Sequence, residues 1–154
     1  RIGYAAGRKD LIKAMIKIQG QSTSNPSSIS QYAALAGIQG KRDFLTPCLE
    51  AFDKRRKLVV NELNSIEGIE CLMPKGAFYA YPNVRGLLGR VTDKGKTLIN
   101  DSDVTQWLLE DAKVAAVPGA AFGLEPFFRV SYATSYEILE NALNNIKKSI
   151  NNLK

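Results

Sequence analysis

The run Phe127-Phe128-Arg129-Val130-Ser131-Tyr132-Ala133-Thr134 places one cation in the middle of an otherwise strand-like stretch. Apolar, β-branched and aromatic residues favour strands, and side chains alternate between faces, so Phe127, Arg129 and Ser131 share one side. A guanidinium on a buried strand loses hydration and needs an anion to meet it. Two partners are open. One is an Asp or Glu of the same chain, giving a structural ion pair. The other is a bound carboxylate, gripped bidentately by the planar fork.

What is missing narrows the remaining chemistry. The chain has no histidine, which removes histidine triads and histidine acid–base work from what it can supply. Its two cysteines, Cys48 and Cys71, are too few for a structural zinc site, and no metal-ligand set is expected. They sit among apolar residues and are read as buried free thiols of a reducing cytosol, with a disulfide as the weaker alternative. Any chemistry here must use Lys, Arg, Tyr, carboxylates or a cofactor.

The elements that would position Arg129 follow from periodicity. Residues Arg1 to Gly7 read as a short strand or strand end. A helix follows over about Lys9 to Gln19, with Leu11, Ile12, Met15, Ile16 and Ile18 at near-helical spacing and Gly20 as its stop. In the loop Gln21-Ser22-Thr23-Ser24-Asn25-Pro26, Asn25 is placed to cap a second helix, with Pro26 at its first position and an end near Gly37 or Gly40. A third helix runs from Phe44 or Pro47 to Ile66 on the stripe Leu45, Leu49, Phe52, Val59, Leu63 and Ile66, stopped by Gly68. Ile69 to Leu72, Ala77 to Tyr81 and Val114 to Val117 read as strands, the second halted at Pro82.

Residues Arg85 to Asn100 are rich in glycine and lysine, lack periodicity and read as a mobile surface loop. Gly95-Lys96-Thr97 within it matches the end of a phosphate-binding loop. Position 90 is Arg90 where that motif needs glycine, so the motif is rejected. Asp101 or Ser102 is expected to cap a fourth helix through Val104, Trp107, Leu108 and about Ala112. Thr134 and Glu137 are expected to form a capping box for the last helix, with face Leu139, Ala142, Leu143, Ile146, Ile150 and Leu153.

That order over residues 44–154 describes an α/β or α+β sandwich, with helices on one face of a small mixed sheet. Residues 1–40 do not close on themselves and are expected to belong to another domain. A chain that opens on Arg1 is also expected to be cut from a longer protein.

Bulk composition sets the outer limits. With 154 residues and 45% hydrophobic content the chain can bury a core of ordinary size. No apolar run approaches the roughly 20 residues that span a bilayer. The net charge of +6 is spread along helices, as at Lys9, Lys13 and Lys17, rather than gathered among aromatics, which argues against nucleic-acid binding.

Several segments together resemble the class I, fold type I aminotransferases that use pyridoxal phosphate, with bacterial aspartate aminotransferases as the nearest likeness. They are Arg1-Ile2-Gly3-Tyr4-Ala5-Ala6-Gly7, Ser24-Asn25-Pro26, Gly76-Ala77-Phe78-Tyr79, Val117-Pro118-Gly119 with Phe122-Gly123, and Phe128 to Ala133. The resemblance implies a C-terminal fragment. Residues 1–42 would be the remnant of the large cofactor-binding domain and residues 43–154 the small C-terminal domain, a small sheet covered by helices. It implies that Arg129 binds the substrate α-carboxylate and that Arg1 contacts the cofactor phosphate. It also implies that the loop at Ser24 and Asn25 reaches toward the partner subunit's active site in a homodimer.

The family's Schiff-base lysine matches no residue of this chain and is expected upstream. No catalytic residue is therefore assigned here, and none of Lys9, Lys13 or Lys75 takes that role. One subgroup carries an arginine four residues before the serine of Ser24-Asn25-Pro26; this chain has Gly20 there, so that carry-over fails. The implied activity is transfer of an amino group from aspartate, or a similar amino acid, to 2-oxoglutarate in the cytoplasm, with the fragment alone inactive. The alternatives are an aromatic or prephenate aminotransferase of the same family, or a non-catalytic structural or binding domain with Arg129 in an internal ion pair.

Overall fold

The computed structural model describes residues 1–154, and the chain divides into two compact units, Arg1–Thr46 and Pro47–Lys154. No helix is long and apolar enough to cross a membrane.

The first unit holds α1 (Lys9–Ser22) and α2 (Ser28–Gln39). None of its residues is buried. Residues 1–8 form no strand, because no partner chain segment pairs with them. Helix α1 runs through Gly20 to Ser22; a single glycine weakens a helix without breaking it when flanking residues favour it. Asn25 caps nothing. Helix α2 begins three residues later, with Ser27 at the capping position and no side-chain cap bond. The turn between the helices is made instead by Ser24, a non-glycine residue at φ 63°.

The second unit contains the core. Helix α3 (Leu45–Asn64) buries Val59, Val60 and Leu63 in its second half, and Gly68, at φ 91°, turns the chain out of it. A side chain at Gly68 would meet the Gly86 backbone at 2.9 Å, so both the turn and the close approach need glycine. Three short strands follow: β1 (Tyr79–Ala80), β2 (Val117–Pro118) and β3 (Phe128–Ser131), in the spatial order β1-β3-β2. Both pairings are antiparallel, Tyr79 opposite Ser131 and Val117 opposite Arg129. The expected sheet is thus present but antiparallel rather than mixed, since strands this short carry no signal of direction.

The expected strand at Ile69 to Leu72 shrinks to a bridge between Glu70 and Asn83. The Asn64 side chain explains it: its amide accepts the Cys71 N–H at 2.7 Å and donates to the Cys71 carbonyl at 2.9 Å. Those backbone groups are satisfied without a strand neighbour.

Helix α4 (Asp101–Trp107) continues into a π turn at Leu108–Ala112. Its cap is Asn100, whose side chain accepts the Asp103 N–H, and not Asp101 or Ser102. Helix α5 (Tyr136–Asn151) is capped by Ser135, not Thr134; the Ser135 hydroxyl accepts the Ile138 N–H. Leu139, Leu143, Ile146 and Ile150 form its buried face, as the periodicity requires. Phe128, Tyr132, Leu63, Val84, Leu87, Leu98, Val104 and Leu108 fill the space between helices and sheet.

Residues 85–100 depart furthest from expectation. They fold as a hydrogen-bonded excursion: the Gly89 N–H donates to Leu98 at 2.8 Å, Leu98 to Arg90 at 3.0 Å, and Val91 and Lys154 exchange both backbone bonds. Leu87 and Leu98 are fully buried at its base. Those anchors sit in two short apolar pairs, Leu87-Leu88 and Leu98-Ile99, with no repeat between them, which periodicity cannot register. The two cysteines are free; Cys71 is buried, as expected, and Cys48 is exposed on the first half of α3.

Candidate functional site

Strand β3 is the middle strand, so its alternation decides what Arg129 can meet. Phe128 and Tyr132 lie in the core and Val130 packs against it, which turns Arg129 to the other face with Phe127. There the guanidinium carbon lies 4.4 Å from the Tyr79 ring centre and 4.5 Å from that of Phe122. Tyr79 comes from β1 and Phe122 from the short 3₁₀ turn Gly119–Phe122 that follows β2. Arg129 itself is half-buried.

Arg129 takes part in none of the chain's ion pairs, which involve Arg8, Arg56, Lys57, Arg90 and Lys96. The aromatic faces attract the cation, by about 0.5–2 kcal/mol each depending on solvation. They accept no conventional hydrogen bond and carry no charge, so the N–H donors and the net positive charge remain available. The arrangement is a partly dehydrated, always-charged donor without a counter-ion, and it can take a carboxylate.

The segment that supplies Phe122 is fastened at several points. The Gly119 N–H donates to the Phe127 carbonyl at 2.8 Å, and that of Leu124 donates to Gly119 at 3.2 Å. The Tyr81 hydroxyl shares its proton between the carbonyls of Gly119 at 3.3 Å and Leu124 at 3.4 Å, and its ring stacks on Phe127 with centres 5.3 Å apart. Burial raises the Tyr81 phenol above its ordinary value; the Asp101 carboxylate adds to the rise and Arg129 opposes it. The hydroxyl therefore stays a donor at neutral pH. Gly119 admits no side chain, because a Cβ there would lie 2.1 Å from the Leu124 oxygen.

The segment that supplies Tyr79 is tied by another phenol. The Tyr132 hydroxyl donates to the Ala77 carbonyl at 3.0 Å, and Ala77 holds a left-handed backbone at φ 58°. Burial raises the Tyr132 phenol, and the Arg56 cation opposes that rise.

Arg1, Ser24 and Asn25 fall in the other unit. Arg1 is exposed and enters no ion pair. An exposed guanidinium outside every ion pair keeps its N–H donors open to an anion. Ser24 and Asn25 line a cavity of about 300 Å³ with Gly3, Tyr4, Ala5 and Gln19, so the loop is brought against the N-terminal segment. Arg1 is not part of that lining. Tyr79 and Phe122 lie in the family-like segments Gly76 to Tyr79 and Phe122-Gly123, where no local pattern marks them as neighbours of Arg129. Asp101 has the local pattern of a helix cap, and no local signal marks its burial. No group of histidine, cysteine or acidic residues is arranged to hold a metal.

The second unit is thus a helix-covered three-stranded antiparallel sheet that presents, from its middle strand, an arginine outside every ion pair of the chain. The chain matches the aminotransferase class I and II family over residues 1–146 and belongs to it. It is 54% identical to the aspartate aminotransferase of Rhizobium meliloti (strain 1021) over 153 residues, covering 99% of this chain and 37% of that protein. It is 51% identical over 147 residues to the aspartate/prephenate aminotransferase of Cereibacter sphaeroides, covering 96% and 37%. The crystal structure of the aspartate aminotransferase from Rhizobium meliloti superimposes with a TM-score of 0.86 at 51% identity, covering 96% of this chain and 37% of that one. The chain thus spans about 37% of the length of these relatives.

Proposed function

We propose that the whole protein is a pyridoxal-phosphate-dependent aminotransferase that moves an amino group from aspartate, or a similar amino acid, to 2-oxoglutarate, and that Arg129 binds the substrate α-carboxylate. The observation that carries this reading is the lack of any carboxylate partner for a half-buried arginine on the middle strand. The internal ion pair of the structural alternative is not formed in this chain. Membership of the family and the names of the relatives at 54% and 51% identity support the activity.

In this reading pyridoxal phosphate, when bound, supplies an electron sink for the charge left at the substrate's α-carbon. Arg129 holds the α-carboxylate, and a fixed carboxylate fixes which bond at the α-carbon is presented for cleavage. Tyr79 and Phe122 limit the ways the guanidinium can swing. Arg1 would take the cofactor phosphate, and the Ser24–Asn25 loop would face the partner site of a homodimer. Residues 1–42 would belong to the large domain and residues 43–154 to the small one. No residue of this chain matches the family lysine that moves the α-proton. The reading therefore gives the chain binding and orientation, and expects it to be inactive alone. The setting carried by the resemblance is the cytoplasm.

The second name carried by relatives, aspartate/prephenate aminotransferase, favours one further reading, in which prephenate is also a substrate. A panel of amino and oxo acids on the full-length protein separates the two. In the same protein Arg129→Ala should lower kcat/KM for aspartate about 100-fold, the scale of one lost bidentate charge-assisted pair. Unchanged kinetics would remove Arg129 from the site.

A further inference from the structure

Asp101 is the one fully buried charged residue of the chain, and it forms no ion pair. Its Oδ2 accepts the Ala120 N–H at 3.1 Å and, more loosely, the Phe127 N–H at 3.4 Å. Its Oδ1 is buried without a partner. Taking a carboxylate out of water with one oxygen unsatisfied is unfavourable. Service to α4 does not account for it, since Asn100 already caps that helix. What the carboxylate does touch is the backbone at both ends of one segment. Ala120 and Phe127 bracket the turn that carries Phe122, and Phe122 is one of the two rings against Arg129.

We propose that Asp101 is a positioning residue for Arg129. By accepting the Ala120 and Phe127 amides it closes the 120–127 turn, holds the Phe122 ring at the guanidinium, and so sets how firmly Arg129 meets a carboxylate. The inference rests on the assignment of Arg129 to carboxylate binding. Three features of the same turn agree with a segment whose geometry is tightly held. Gly119 has no room for a side chain, Tyr81 donates to its carbonyls, and Arg129 follows Phe127 by two residues, so slack at Phe127 passes directly into β3.

The test uses the full-length protein and three variants, Asp101→Ala, Asp101→Asn and Arg129→Ala. Asparagine keeps an oxygen that can accept the two amides, whereas alanine removes it. For each variant the KM and kcat with aspartate, the affinity for succinate as a dicarboxylate probe, and the hydrogen exchange of peptides covering 119–127 are measured. Asp101→Ala is expected to raise KM and the succinate Kd about tenfold, the loss of two amide bonds passed on in part, with a smaller change in kcat. It should also speed exchange across the turn. Asp101→Asn should stay within about threefold of the parent in each readout.

Faster exchange in Asp101→Ala with unaltered KM and succinate affinity would overturn the link to Arg129. An asparagine variant as impaired as the alanine one would overturn it too, since the amide contacts would then not be the cause. If Arg129→Ala itself leaves succinate affinity unaltered, the reading of Arg129 fails and this inference with it. A normal Arg129→Ala loss beside a silent Asp101→Ala sinks the inference alone.

Discussion

At Arg129 two aromatic rings hold a cation that nothing else in the chain neutralises. The rings and the missing carboxylate make separate demands on the side chain. A lysine would keep the charge but lose the planar fork and much of the ring contact, so Arg129→Lys in the full-length protein should fall between the parent and Arg129→Ala in kcat/KM. Equal activity of the lysine variant would show that charge alone suffices. For Arg1 the corresponding outcome is weaker cofactor retention in Arg1→Ala, read by absorbance after dialysis; full retention would count against the phosphate role. Gly119 is constrained by space and not by φ. With a Cβ at 2.1 Å from the Leu124 oxygen, Gly119→Ala must displace backbone, and a loss of about 1–3 kcal/mol is expected, visible as a lower thermal midpoint.

At the scale of elements, short strands are held by side chains more than by ladders. β1 has only two residues, and the bond from Tyr132 to the Ala77 carbonyl anchors the approach to it. Tyr132→Phe should destabilise the second unit by about 1 kcal/mol in denaturant titration. Helix α4 gives a pH prediction. Asp103 lies below its ordinary value of 3.8, first because of Lys96 at 2.8 Å and then because of the Ile99 N–H. A depressed folded-state value means that Asp103 contributes stability above about pH 4 and loses it as the pH falls through the lower folded value. Asp103→Asn should therefore flatten the acid limb of the stability curve below about pH 4 while leaving it otherwise similar in shape.

At the scale of the whole molecule the two units differ in kind. The second holds every buried apolar residue of the chain. The first exposes Tyr4 before α1 and Ile29 and Tyr32 on α2, each at least 75% accessible, and neither of its helices has a buried residue. Protection from hydrogen exchange follows burial and long-range bonding. In the 154-residue chain, amides at Val59, Val60, Leu63, Phe128, Leu143 and Ile146 should be the slowest to exchange, and those of α1 and α2 among the fastest. Comparable protection in both units would contradict the burial pattern.

The helices were legible in the sequence because their periodicity is repeated: the stripes ending in Leu63 on α3 and running from Leu139 to Ile150 on α5 each recur over several turns. The strand at Arg129 was legible for the same reason, since two alternating aromatics and a valine mark the inward face. The capping positions lie one or two residues from Asn25, Asp101 and Thr134, at Ser27, Asn100 and Ser135. Ser, Thr, Asn and Asp are nearly interchangeable there, and only the backbone geometry selects among them.

The tertiary structure alone decided three matters. Sheet direction follows from which strands meet. Order in residues 85–100 follows from where Leu87 and Leu98 are buried. The absence of an acidic partner for Arg129 depends on side chains far apart in the chain. The sequence determined that a cation sits on a buried strand; whether that cation is free is a property of everything packed around it, and no local pattern carries that information.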